Sequence, residues 1–325
     1  MDLSEEFPLV WHYTTEAGVY GILENKCIWA THYRFLNDTT EFQVARNVLL
    51  DIVWRKIRLD FVSLLPEVFN GNTEHPLVDD IGRSELSALL DSQYWALFDE
   101  RVLGAEFYVA SFCAKHDDPY TADNGLLSQW RGYGVNGGYA IEFEVKPLED
   151  CLKETCSRYG VGSVFGNCIY DDEEEKINAE FFEDINFISE YMLKVLEGVK
   201  KNSVEESFHE RSDDALNAFI NIISRIKHRA FHEESEIRIS VCATNIIEDD
   251  SERLELPREF RGENKRIPYV ELFGNIENLP IKRIIVGPHK NKELRAESLR
   301  IWLRNKKING IDVVVSNTPY IELAA

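Results

Sequence analysis

The chain has 325 residues, with 36 Lys and Arg against 57 Asp and Glu, a formal charge of −21. Apolar residues make up 44% and aromatics 11%, enough to build a core, which excludes wholesale disorder. The charge argues against a broad phosphate-backbone binder, although a local basic groove can sit in an acidic whole. No run approaches the roughly 18 apolar residues that a membrane span needs. The opening Met1-Asp2-Leu3-Ser4-Glu5-Glu6 is acidic where an export signal is basic, so the expectation is a cytoplasmic protein with no membrane association. Six scattered cysteines (27, 113, 151, 156, 168 and 242) read as reduced, buried thiols rather than a disulfide framework.

Along the chain, short apolar strands alternate with amphipathic helices. Residues 9–13 read as a strand, followed by a helix over 18–23 that Thr14 or Thr15 caps. A strand over 27–30 precedes a long helix in which Val44, Val48 and Ile52 make one stripe and Leu49, Val53 and Ile57 another, ending at Leu65-Pro66. A loop over 67–83 and a helix over 85–100 follow. Residues 107–112 read as a strand, 126–133 as a short helix, 139–145 as a strand, 148–159 as a helix and 164–170 as a strand. The acidic run 171–175 suits the positive end of a helix over 174–199, whose partner spans 204–227, giving a helical hairpin beside the sheet. Over 236–241 the pattern alternates, with Glu236, Arg238 and Ser240 on one face and Ile237, Ile239 and Val241 on the other. A charged loop over 244–265, strands over 267–272, 283–286 and 311–315, and a helix over 293–304 complete the chain. Nothing reads as a linker. The expectation is a single α+β domain over 1–325 with a helical insertion at about 172–228.

Familiar catalytic signatures are missing. Cys151, Cys156 and Cys168 lack the second close pair that a structural zinc site needs, so no metal is expected. The glycines from Gly132 to Gly138 follow a helix and precede a strand, the reverse of a phosphate-cradling loop. No Gly-x-Ser-x-Gly or His-Glu-x-x-His occurs. What remains is polar residues at element ends. His12-Tyr13-Thr14 lies where a strand turns into a helix, and Trp130-Arg131-Gly132-Tyr133 ends a helix beside a glycine turn. Glu234 and Glu236 read as one strand face with Arg238. A solvated face is the default for such alternation, and Arg238 serves either a ligand or its neighbouring Glu.

Together these segments resemble a family. Trp11-His12-Tyr13-Thr14, Ile28-Trp29-Ala30-Thr31 and Phe35-Leu36-Asn37-Asp38-x-x-Glu41-Phe42 are similar to the opening of the domain of unknown function 2971. The resemblance continues through Tyr108-Val109-Ala110-Ser111-Phe112, Leu127-Ser128-Gln129-Trp130-Arg131-x-Tyr133-Gly134 and Tyr139-Ala140-Ile141-Glu142-Phe143. It closes with Phe231-x-x-Glu234-x-Glu236-x-Arg238, Ile267-Pro268-Tyr269-Val270 and the run from Ile281 to Pro288.

More distantly, that family resembles the ADP-ribosyltransferase fold, with a His on the first strand, a Tyr after a helix and a Glu on a later strand. His12, Tyr133 and Glu236 stand in that order. The resemblance implies a split mixed β-sheet with flanking helices and an NAD-consuming activity, as an ADP-ribosyltransferase or an NAD glycohydrolase. Its catalytic residues would be Glu236, Tyr133 and His12; Tyr13, Thr14, Trp130, Arg131, Glu234 and Arg238 would complete the nucleotide site. Glu236 would stabilise an oxocarbenium-like ribose, Glu234 would orient the acceptor or the ribose, and Tyr133 would stack on nicotinamide. His12 would hold a ribose hydroxyl with Thr14 beside it, and Arg131 or Arg238 would meet the pyrophosphate. The implied partners are NAD or a related nucleotide and a protein or small-molecule acceptor, ahead of nucleic acid. A non-catalytic nucleotide sensor on the same fold is the alternative.

Overall fold

The computed structural model describes residues 2–36, 41–64, 76–92, 106–116, 118–134, 137–201, 212–243, 256–262, 266–274 and 276–319. Helix α1 (Leu3–Glu6) leads into strand β1 (Leu9–Thr14). The Thr15 hydroxyl accepts from the Gly18 amide at 3.2 Å and starts α2 (Glu16–Asn25), so the cap falls to Thr15 rather than Thr14. Strand β2 (Ile28–His32) precedes α3 (Glu41–Leu64) and α4 (Val78–Leu90). Helix α4 starts inside the stretch expected as a loop, with Asp79 and Asp80 at its positive end and Val78, Leu86 and Leu90 buried. Residues 93–100 of the expected helix lie outside the described residues.

Strand β3 (Glu106–Ala114) is followed by α5 (Pro119–Asn124), a turn of helix that hydrophobic periodicity did not reveal. Its signal is local: Asp118 accepts from the Thr121 amide at 2.8 Å, with Pro119 at the first helical position. Then come α6 (Leu127–Tyr133), β4 (Tyr139–Glu144), α7 (Val145–Tyr159), β5 (Gly162–Asn167) and β6 (Ile169–Tyr170). The expected strand over 164–170 is thus two strands in two different sheets. The expected helix over 174–199 is also two, α8 (Glu174–Glu180) and α9 (Phe182–Lys201), broken at Phe181, which turns inward under the Arg225 guanidinium at 5.0 Å. Helix α10 (Ser212–Arg225) stops short of the expected end, and β7 (Ile226–Lys227) pairs in parallel with β6. A 3-10 turn (Arg229–Glu234), β8 (Glu236–Ala243), β9 (Arg258–Arg261), β10 (Ile267–Leu272), β11 (Ile281–Val286), α11 (Lys292–Asn305) and β12 (Asp312–Val315) follow. Strand β9 falls within the expected loop over 244–265, of which 244–255 and 263–265 lie outside the described residues.

The main sheet runs β12-β11-β4-β1-β3-β2-β10-β9, with β8 and then β5 branching from β3. Only β11 with β12 is parallel among the pairings of this sheet within the described residues. Strand β3 is the branch point. One edge pairs along its whole length with β8, from Glu106 opposite Ala243 to Cys113 opposite Glu236. The other edge is shared. Trp11 of β1 pairs with Cys113 at one end of β3, and Thr31 of β2 pairs with Val109 nearer the other. Between them the sheet is split.

Two apolar layers cover the sheet. On one side α3, α4, α9 and α10 share a core with Phe107, Val109 and Cys242, so the helices after residue 172 pack beside the sheet and on the earlier pair. On the other side α7 and α11 bury Tyr108, Ala110, Phe112, Ile237, Ile239 and Val241. The alternation read in β8 therefore holds. Its polar face, however, is not solvated: Glu236 is 3% exposed and Arg238 2%, because the helical layer lies over them.

Candidate active site

A cleft of about 610 Å³ opens where β1 and β2 part, within the ~300–1,000 Å³ range of small-molecule sites. His12, Tyr133, Glu234 and Glu236 all line it, brought from β1, the end of α6, the 3-10 turn and the start of β8. Ser111, at the middle of β3 and beside the split, is exposed into it.

His12 donates from Nδ1 to the Ser111 carbonyl at 3.0 Å, since a carbonyl can only accept. That bond fixes the tautomer and leaves Nε2 as an acceptor. Burial pulls its pKa below the ordinary value, the Ser111 carbonyl opposing and Arg261 adding to the fall, so the ring is neutral at pH 7. Tyr133 closes α6 beside Gly134 and keeps 38% of its surface open. Tyr13 also reaches the cleft wall, but its hydroxyl accepts from the Leu126 amide at 2.8 Å, which anchors the start of α6.

The acidic end is a buried five-membered ion network. Arg238 grips Glu236 with a fork, Nε to Oε1 at 2.7 Å and Nη2 to Oε2 at 3.0 Å. Its Nη2 also donates to Glu41 of α3 at 2.5 Å, and Nη1 donates to the Ser224 carbonyl at 3.0 Å. Lys227 donates to Glu234 at 2.5 Å and to Glu236 Oε2, and lies 4.0 Å from Glu41. Burial would push the Glu236 carboxyl up, but Arg238 and Lys227 outweigh it and hold the value at about 2. For Glu41 burial prevails over Arg238, and its carboxyl is raised. Glu236 is therefore an anion at neutral pH and unsuited to proton transfer there.

The geometry corrects several expectations. Glu234 does not share a strand face with Glu236. It ends the 3-10 turn, and Ser235, at φ 41° in the left-handed region, swings the chain so that both carboxylates reach Lys227. Arg238 is the partner of Glu236 and Glu41, its cation neutralised inside the network. Trp130 is wholly buried, its indole donating to the Asn124 carbonyl at 3.0 Å and its ring edge-on to Tyr13 at 4.8 Å, so it supports the cleft from behind. Arg131 does not line the cleft.

Three cleft residues escaped the sequence reading. Lys227 looked like a helix end. Glu41 sat in a motif with no chemistry attached. Arg261 falls in the stretch expected as a loop; its guanidinium lines the cleft and donates to Thr31 Oγ1 at 2.7 Å. Its place on β9, an edge strand pairing with β10, depends on a pairing that no local pattern announces.

Among the described residues, no group of three His, Cys, Asp or Glu is placed to hold a metal ion, and no helix is long and apolar enough to cross a membrane. Residues 129–239 match the family described as "Protein of unknown function (DUF2971)". That span carries Tyr133, Lys227, Glu234, Glu236 and Arg238, and leaves His12 and Arg261 outside it. No curated protein and no solved structure matches the chain.

Proposed function

We propose that the cleft binds NAD and breaks the bond between nicotinamide and its ribose, passing ADP-ribose to an acceptor or to water. The observation that carries this reading is the convergence of His12, Tyr133, Glu234 and Glu236 on one cleft from four separate elements. In the reaction, the electron pair of the C1′–N bond leaves with the pyridinium nitrogen, so nicotinamide departs neutral. The ribose becomes oxocarbenium-like, and an acceptor oxygen donates a pair to C1′ and loses its proton.

Each side chain has a part suited to its surroundings. Glu236 supplies fixed negative charge. A carboxylate has about four acceptor positions, and Arg238 and Lys227 fill three, leaving one on Oε1 for a ribose hydroxyl. Its charge favours the cationic sugar more than the bound substrate, which is what accelerates the step. Glu234, less deeply buried and held by one cation, receives the acceptor proton. Tyr133, 38% exposed, offers its ring to nicotinamide, and neutral His12 accepts from a ribose hydroxyl at Nε2.

A second reading, a nucleotide sensor without turnover, draws on one observation: two buried cations already counter the charge of Glu236 and dull its pull on a cationic sugar. The experiment is calorimetric titration of the protein with NAD alongside a chromatographic assay for free nicotinamide. Binding with release supports the enzyme. Binding without release, across protein and small-molecule acceptors, leaves the sensor.

A further inference from the structure

We propose that Arg261 and Trp29 form a phosphate-and-base subsite in the wall of the cleft, taking the phosphate groups and the base of a nucleoside diphosphate. The inference rests on the nucleotide reading above and assigns the part of the cleft that meets the anionic half of the ligand.

Strand register brings the parts together. Thr31 stands opposite Tyr269, Trp29 opposite Glu271, and Tyr269 opposite Glu259, so Trp29, Thr31, Tyr269 and Arg261 share one face of the β2-β10-β9 arm. The opposite face carries Ile28, Ala30, Val270 and Leu272 into the core, which fixes the orientation. On the polar face the Arg261 guanidinium lies 5.6 Å from the Trp29 ring and 6.0 Å from that of Tyr269.

The charge balance sets Arg261 apart. Among the described residues no carboxylate lies within ion-pair distance of it, although Glu259 and Glu271 share its face and the chain carries 57 acids. The other two cleft cations, Lys227 and Arg238, are consumed by the glutamates. Arg261 is half-buried, and desolvation lowers its pKa. A cation stripped of water, with no anion beside it among the described residues, is costly, and a phosphate relieves that cost. Its bond to Thr31 uses one of five N–H groups and leaves the rest of the guanidinium for oxyanions. Trp29 packs on Tyr269 with ring centres 4.4 Å apart, yet it lines the same cleft and keeps 40% of its surface exposed beside that charge. An anion next to a planar surface is the chemistry of a nucleotide.

The test is titration of ADP and of adenosine into the wild type and the Arg261→Gln, Arg261→Lys and Trp29→Ala variants. The wild type should prefer ADP. Arg261→Gln should lose roughly ten- to a hundredfold in ADP affinity, the scale of a missing charge-assisted hydrogen bond, with adenosine unchanged. Arg261→Lys should recover part of the loss, and Trp29→Ala should weaken both ligands alike. ADP affinity untouched in Arg261→Gln, or a wild type that binds ADP no better than adenosine, overturns the subsite. Nicotinamide release from NAD by the wild type reports separately on the catalytic reading. Release with an Arg261-independent ADP affinity removes only the subsite; an Arg261-dependent affinity without release removes only the catalysis.

Discussion

Arg238 of β8 donates to Glu41 of α3 at 2.5 Å, across 197 positions of the chain. Through this pair, the first residue of a helix in the covering layer is tied to the strand that carries Glu236. The cleft's acidic wall and the seating of the helical layer are one construction. Positive and negative charges alternate through it, Glu41, Arg238, Glu236, Lys227 and Glu234 in turn.

Glu41→Ala should therefore destabilise the whole fold. Arg238 loses one of its two carboxylates but keeps the fork to Glu236, so the cost is that of a lost buried charged hydrogen bond, about 1.5–3 kcal/mol. Denaturant unfolding checks this, with the expected drop in midpoint at unchanged slope. An effect below ~1 kcal/mol, the scale of an exposed pair, would mean water reaches the network.

Acid should loosen the protein through Glu236. Its folded value, about 2, lies below the unfolded one, so its contribution is complete above the unfolded value and disappears as pH falls towards 2. Glu41 acts in the opposite sense, since a raised folded value favours the protonated native state as pH falls. Unfolding midpoints against pH for the wild type and Glu236→Gln should converge as pH falls from about 4 towards 2. Parallel curves would remove Glu236 from the acid response.

Binding of NAD should depend on the Tyr133 ring and little on pH between 7 and 8. Tyr133→Ala should cost about 0.5–1.5 kcal/mol, an aromatic contact, while Tyr133→Phe should bind nearly as the wild type. The flat pH response follows from a His12 ring that burial holds neutral, and titration calorimetry at both ends of the range reads it. Affinity that rises as pH falls from 8 to 7 would show a His12 that gains a proton on binding.

Local pattern made much of the architecture legible. The alternation from Glu236 to Val241 identified β8 and its two faces, and the spacing of Val48, Ile52, Leu49 and Val53 identified α3. What pattern cannot convey is which face another layer will cover. The polar face of β8 looked solvated and is buried, because α3 and α10 close over it. That also changes the standing of Glu236, expected as a cleft carboxylate outside the core and found as a structural ion as well. Lys227 and Arg261 were hidden for a related reason: each belongs to a short strand defined by its partner, β6 for one and β10 for the other. Trp130 is aromatic and close to Tyr133 in sequence, yet the helix turns its side chain inward onto Tyr13.

The central claim is that a fixed Glu236 anion promotes loss of nicotinamide from NAD. It is tested most directly by measuring nicotinamide release at saturating NAD for the wild type and Glu236→Gln, with circular dichroism confirming that the variant is folded at the assay temperature. The account predicts NAD affinity within a few-fold of the wild type and turnover lower by about 10²–10³, the effect of removing one electrostatic element from the transition state. A folded Glu236→Gln that releases nicotinamide at the wild-type rate would contradict it.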